Sequence, residues 1–166
     1  MSEVSTTSPD LLLLNREQDF QEQALQLIKN TRRTLAILSR ELDPLVYGNE
    51  TFITALSAFA RSSQYAQIQI LVKNTKPLIE NSHKLVKLQQ RLPSKILLRK
   101  LTIEPDDDTM GFMLCDTTAI LFKNDDSIYR GFANYKAAAE VKRFREIFDY
   151  IWQYAEIEAE FQVLNI

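Results

Sequence analysis

The sequence predicts a single α/β domain built on a mixed, mostly parallel sheet with helices on both faces. Three observations predict it. Helical and strand periodicities alternate between residues 15 and 103, the pattern of strands joined by crossover helices. Strand-like segments with no helix between them then follow over residues 109 to 133, which argues for antiparallel additions at one side of the sheet. A long amphipathic stretch closes the chain, with Val141, Phe144, Phe148, Ile151, Trp152 and Ala155 on one stripe.

Taken in order, residues 1 to 14 read as a flexible tail, polar and rich in Ser and Thr up to Pro9. The leucine run that follows Asp10 is far too short to span a bilayer. Asn15 is a plausible N-cap for a first helix carrying Phe20, Ala24, Leu27 and Ile28 on one face. TLAILSREL (34–42) reads as a buried strand with charge only at its end, and Asp43-Pro44 and Gly48-Asn49 mark a loop. Phe52, Leu56 and Phe59 give a second helix, up to Ser62-Ser63, and QIQILVKN (67–74) a second strand. A helix is expected from about Leu78 to Leu92, stopped by Pro93, and a third strand in KILLRKLTI (95–103). The acidic loop EPDDD leads to a strand at 109–116, then TAILFK (118–123), a turn at Asn124-Asp125-Asp126, and SIYRGFA (127–133). The domain is expected to run from 15 to 160, with 161–166 a short tail.

Composition narrows the function. A chain of 166 residues, 45% hydrophobic and 25% charged, fits one globular domain with a sizeable core and not a disordered segment. Its formal net charge of -2 supplies no global field toward DNA or anionic lipid. Only three glycines are present, so Gly-rich phosphate loops are excluded. One cysteine, Cys115, forbids an intrachain disulfide and suits a reducing compartment. The opening MSEVSTTSPD lacks the basic start of a secretory signal, and the expected location is cytoplasmic. The lone histidine, His83, has no Cys neighbour at ligand spacing. It is expected to be an exposed or capping residue at a helix start, and no metal or cofactor is expected.

Charge is unevenly distributed along the chain. Residues 73–100 hold Lys73, Lys76, Lys84, Lys87, Arg91, Lys95, Arg99 and Lys100 against Glu80, and an acidic block from Glu104 to Asp126 follows. Lys84, Lys87 and Arg91 share one helix face, either a solvated outer face or one that binds a phosphate backbone. Arg40, Glu41 and Asp43 end the first α/β strand, where ligands of open sheets bind. Arg99 is expected near them on an adjoining strand. These seven residues are the candidate ligand-binding set.

Residues 109–116 read TMGFMLCD. With TLAILSREL, QIQILVKN, NSHKLVKLQQRLPSKILLRKL, the hairpin GFMLCDTTAILF and the closing FREIFDYIWQYAE, this order resembles one half of a phospholipase D-like (PLD-like) fold, most like bacterial domains of that kind without the catalytic motif. The resemblance covers roughly residues 30 to 157. It implies an HxKxxxxD motif in which a His is the nucleophile or the general acid and a Lys holds the phosphoryl oxygens. Here Thr109 stands at the His position, Gly111 at the Lys position, and only Asp116 matches. The Gly-Ser-x-Asn segment of the family would fall near Lys123-Asn124, and the similar string Gly131-Phe132-Ala133-Asn134 comes later. Because active members combine two halves, the resemblance also implies a homodimer. The expected function is a non-catalytic binding or scaffolding module for nucleic acid or another phosphate-containing ligand. The alternatives are an enzyme of a different class using Arg40, Glu41 and Asp43, or an accessory domain of another enzyme.

Overall fold

The computed structural model describes residues 10–161. The tail expected over 1–9 and residues 162–166 lie outside the described residues. Seven strands form one sheet: β1 (Leu11–Leu14), β2 (Thr34–Ser39), β3 (Gln67–Val72), β4 (Ile96–Lys100), β5 (Gly111–Cys115), β6 (Ala119–Lys123) and β7 (Gly131–Asn134), in the order β1-β7-β6-β5-β2-β3-β4. The helices are α1 (Glu17–Lys29), α2 (Pro44–Tyr47), α3 (Glu50–Ala60), α4 (Lys76–Glu80), α5 (Lys84–Arg91) and α6 (Ala138–Tyr154). A 3-10 turn at Ala159–Phe161 follows and buries Phe161, a residue the sequence assigns to a tail.

The sheet is mixed, as expected, but mostly antiparallel rather than mostly parallel. Only β2–β3 and β3–β4 run parallel, whereas β1–β7, β7–β6, β6–β5 and β5–β2 are antiparallel. The reason lies in the connections. Parallel neighbours need a crossover of about a dozen residues or more, which the chain supplies only through α2–α3 and α4–α5. After β4 the strands are joined by turns and loops, and the chain comes back beside β2 in the reverse direction.

Side-chain alternation divides the core. Leu35, Ile37, Ile68, Ile70, Val72, Met113 and Leu121 pack with Phe20, Leu27, Phe52, Leu56 and Leu85 from α1, α3 and α5. Ala36, Leu38, Leu71, Phe112, Leu114 and Ile120 pack with Val141, Phe144, Phe148 and Ile151 of α6. Helices therefore cover both faces, as the sequence implies. Each fully buried side chain such as Phe20 or Phe112 contributes roughly 1.5–3 kcal/mol relative to exposure.

Three local expectations differ from the structure. Leu11–Leu14 is an edge strand against β7, not tail. The first helix begins after Arg16 rather than Asn15; Asp19 reaches back to accept from Asn15 N at 3.3 Å and pairs with Arg16 at 2.9 Å. The helix expected over 78–92 is two helices, because Ser82 has φ 50 and His83 caps α5 anew.

Asp116 sits in the β5–β6 turn with φ 53. Its carboxylate accepts from the N–H groups of Arg32 (2.9 Å), Arg33 (2.8 Å) and Thr34 (3.1 Å). Its own N–H donates to Thr34 O at 2.8 Å. It thus fastens the hairpin to the start of β2, the side-chain-to-backbone role that suits Asp in a turn. Asp116→Ala should lower stability by about 2 kcal/mol, and Asp116→Asn, which tolerates the left-handed conformation, should recover part of it. Urea denaturation checks the order.

Candidate functional site

The carboxyl ends of β2 and β6 and the amino end of β5 meet at one edge of the sheet, with Ser39, Lys123 and Gly111 as their terminal or near-terminal residues. The loop after β6 folds over this junction. Its Asp126, 8% exposed, accepts from Ser39 Oγ at 2.8 Å and Arg40 N at 2.9 Å through one carboxylate oxygen. The Asp126 N–H donates to Thr109 O at 2.7 Å, and Lys123 Nζ donates to Asp126 O at 3.0 Å. Lys123 is itself only 5% exposed, with its ammonium 4.6 Å from the Tyr129 ring centroid and 5.4 Å from that of Phe20. Aromatic faces replace some of the water that a buried ammonium loses.

Gly111 lies directly against the Asp126 carboxylate. A Cβ there would lie 2.3 Å from Asp126 Oδ1 and 2.7 Å from its carboxyl carbon. The carboxylate therefore occupies the space into which a side chain at position 111 would project. Glycine is required by close approach, not by backbone conformation.

The loop after β2 is held from below. Ser39 Oγ accepts from Leu42 N at 2.9 Å. Leu42 is buried with φ 55, a conformation that costs about 1–3 kcal/mol for a non-glycine residue and needs support. His83 supplies it. Nε2 lies 2.8 Å from Leu42 O and Nδ1 accepts from Leu85 N at 3.0 Å, so the ring is the Nε2–H tautomer and caps α5. Burial lowers the pKa of His83. Asp43 caps α2 by accepting from Leu45 N at 3.0 Å, and the Tyr129 hydroxyl donates to its other oxygen at 2.5 Å. Burial, and then the Asp43 hydrogen bond, raise the Tyr129 pKa well above that of a free phenol, so the phenol stays a donor.

Between the two loops lies a cleft of about 410 Å³ lined by Arg40, Glu41, Asp43, Pro44, Asp126, Ser127 and Tyr129. The structure thus brings Arg40, Glu41 and Asp43 together as expected, with Glu41 exposed and accepting from Asn74 Nδ2 at 3.3 Å. Thr109 and Gly111 lie at the same edge, and the Thr109 hydroxyl donates within the acidic loop and to Asn124 O, at 2.9 and 3.1 Å. Asp116 is at the opposite edge. Arg99 is also elsewhere: it stacks on Trp152 at 4.3 Å and donates to Trp152 O at 3.1 Å, against α6. Lys84, Lys87 and Arg91 are all exposed on α5, and Lys84 pairs with Glu50 at 3.2 Å.

Sequence reasoning missed Ser39, Lys123, Asp126 and Tyr129 as parts of the site. Asp126 was legible only as a turn residue, and Lys123 in a strand-end position gives no sign of burial. The string Gly131-Phe132-Ala133-Asn134 forms β7 beside β6, and residues 124–130 are the loop that displaces it in sequence. Cys115 is no nucleophile, since burial pushes its thiol up to about 12. Among the described residues, no group of His, Cys, Asp and Glu could hold a metal ion, and no helix is long and apolar enough to cross a membrane.

Two measurements follow from this geometry. Gly111→Ala should destabilise by about 1–3 kcal/mol through overpacking, and the penalty should shrink in an Asp126→Ala background. A double-mutant cycle in urea reads that coupling. For His83, a folded-state pKa below the ordinary 6.5 means that its stabilisation is complete above 6.5 and is lost as pH falls through the lowered value. The melting temperature should drop between pH 7.5 and pH 5, and His83→Asn should flatten that part of the profile.

The fold is shared with solved structures of known kind. TrmBL2, described as an archaeal chromatin protein whose structure shows a novel mode of DNA binding, superposes with TM-score 0.66 at 14% identity over 94% of this chain, which spans 56% of that chain. NucT from Helicobacter pylori gives TM-score 0.61 at 10% identity, covering 88% of this chain and 96% of that one. Nuc from Salmonella typhimurium, a phospholipase D family member, gives TM-score 0.56 at 10% identity, covering 80% of this chain and 86% of that one. Likeness at such identities is one of fold, and it bears out the PLD-like architecture that the order of segments implies. No curated protein matches the sequence. Residues 16–164, nearly the whole chain, match the family described as Domain of unknown function (DUF7931), and the chain belongs to that family.

Proposed function

We propose that the protein is a non-catalytic PLD-like binding module whose ligand is nucleic acid, engaged through exposed cations and not through the motif cleft. The observation that carries this reading is the Asp126 carboxylate standing over Gly111. A phosphodiester needs cations at that edge. The cleft instead presents Glu41, Asp43 and Asp126 against Arg40, with Lys123 buried beneath, and a phosphate entering it meets like charge. Thr109 and Gly111 supply neither a nucleophile nor a phosphoryl anchor. Cations are displayed elsewhere, on the outer face of α5, where Lys84, Lys87 and Arg91 are exposed. DNA binding by TrmBL2, a protein of related fold, supports the ligand class. Assembly as a homodimer is part of this reading.

A second reading is favoured by the Tyr129–Asp43 hydrogen bond inside a cleft of about 410 Å³, a size that suits a small molecule. Here Asp43 and Tyr129 are the proton-transfer pair of an enzyme of another class, with Arg40 and Glu41 orienting the substrate.

The first reading predicts no hydrolysis of bis(p-nitrophenyl) phosphate by the pure protein. It also predicts oligonucleotide binding that weakens in a Lys84→Ala/Lys87→Ala/Arg91→Ala variant and whose dependence on salt becomes shallower there. Turnover of the phosphodiester, or binding indifferent to the triple variant, would sink it. Light scattering tests the dimer.

A further inference from the structure

The edge of the sheet opposite the cleft carries a concentration of unpaired cations. β2, β3 and β4 start side by side there, where Gln67 N donates to Arg33 O and Ile68 N to Lys95 O, each at 2.9 Å. Arg32 and Arg33 precede β2, Arg61 is the C-cap of α3, and Arg91 ends α5 just before Lys95 and β4. Arg32, Arg33, Arg61 and Arg91 are exposed, and among the described residues no ion pair engages them. Lys95 Nζ donates to Ser63 O at 2.8 Å and so ties the loop between α3 and β3 to β4. That loop presents Tyr65. The Arg33 guanidinium lies 5.1 Å from its ring centroid, yet Tyr65 remains 61% exposed. One acidic group at this edge, Asp116, has both carboxylate oxygens occupied by backbone N–H groups.

We propose that this edge is a binding site for single-stranded nucleic acid: Arg32, Arg61 and Arg91 hold successive phosphates, and an unpaired base stacks on the Tyr65–Arg33 platform. The inference rests on the nucleic-acid reading above and moves its centre to a face that the sequence did not single out. The chemistry selects the ligand. Adjacent strands lie about 4.8 Å apart, so cations from β2 to β4 spread over about 10 Å, more than one phosphate needs and suited to a polymer. Arginine predominates, and its planar guanidinium both forks onto phosphate and stacks. A cationic track beside an exposed aromatic ring is the arrangement that binds single strands without reading sequence. An anionic membrane fits less well, because the other large exposed apolar side chains, such as Leu13, Ile128 and Ile157, lie outside this edge. Duplex keeps its bases stacked inside and has none to offer Tyr65.

The test is fluorescence anisotropy of the full chain with a fluorescein-labelled oligodeoxythymidylate of about 15 nucleotides, and with a duplex of the same length. Tyr65→Ala and Arg33→Ala should each weaken single-strand binding about tenfold or more, and Tyr65→Phe should retain it. Arg32→Ala/Arg61→Ala should make the salt dependence shallower. These side chains are exposed, and melting curves that match the wild type confirm that the fold is kept. If Tyr65→Ala binds as the wild type does while Lys84→Ala/Lys87→Ala loses affinity, this site is wrong and the α5 face stands. A wild type that ignores the oligonucleotide, whether or not it takes up phosphatidylserine vesicles, overturns both. Equal loss of single strand and duplex in Tyr65→Ala overturns the stacking assignment.

Discussion

A buried carboxylate organises one end of this protein. Asp126 belongs to a loop that has no regular structure, yet it joins β2, β5 and β6 at a single point through Ser39, Arg40, Thr109 and Lys123. Burying an acid is unfavourable unless its oxygens find donors. Here the donors are a hydroxyl and a backbone N–H at the end of β2. The same hydroxyl accepts from Leu42, and Leu42 O faces His83 at the head of α5. One polar chain therefore connects the loop over the sheet to the helix beneath it. Removing a member leaves the next with an unmet partner, so the network acts as a unit.

The sequence was most informative where periodicity is strong. TLAILS and QIQILV alternate between two helical layers, and their parallel pairing follows from the helices between them. The stripe from Val141 to Ile151 defines α6 without ambiguity. Leu11–Leu14 was not legible, because four identical leucines have no period and their partner lies at the far end of the chain. Strand direction was lost for a related reason. Segments after residue 109 announce strands, but only their connections say which neighbours they join.

The candidate site divides in the same way. Arg40, Glu41 and Asp43 could be placed because a strand end in an open sheet is a known location for ligands. Asp126, Lys123 and Tyr129 could not, because burial of a charged residue is a tertiary property. Arg99 shows the converse limit. Its position on β4 is legible in the sequence, but its side chain turns to the α6 face and finds Trp152. Charge shows a similar contrast between chain and fold. The overall balance is near neutral, yet folding gathers Asp43, Asp126 and the acidic loop at one edge and Arg32, Arg33, Arg61 and Arg91 at the other. Net charge says little about partners because a sum over the chain hides where folding places the charges.

The pairing of β1 with β7 bears on how the chain is made. Synthesis delivers Leu11–Leu14 well ahead of the strand that must receive them, Gly131–Asn134. Until then a ribosome-bound chain displays an uncharged leucine run with no strand beside it, the sort of segment that chaperones hold and that associates with copies of itself. Strands β2 to β4 are made before that moment, but α6, which covers their second face, comes after β7. Closure of the sheet's edge therefore waits on β7, and a chain cut short before it would carry an open, adhesive margin.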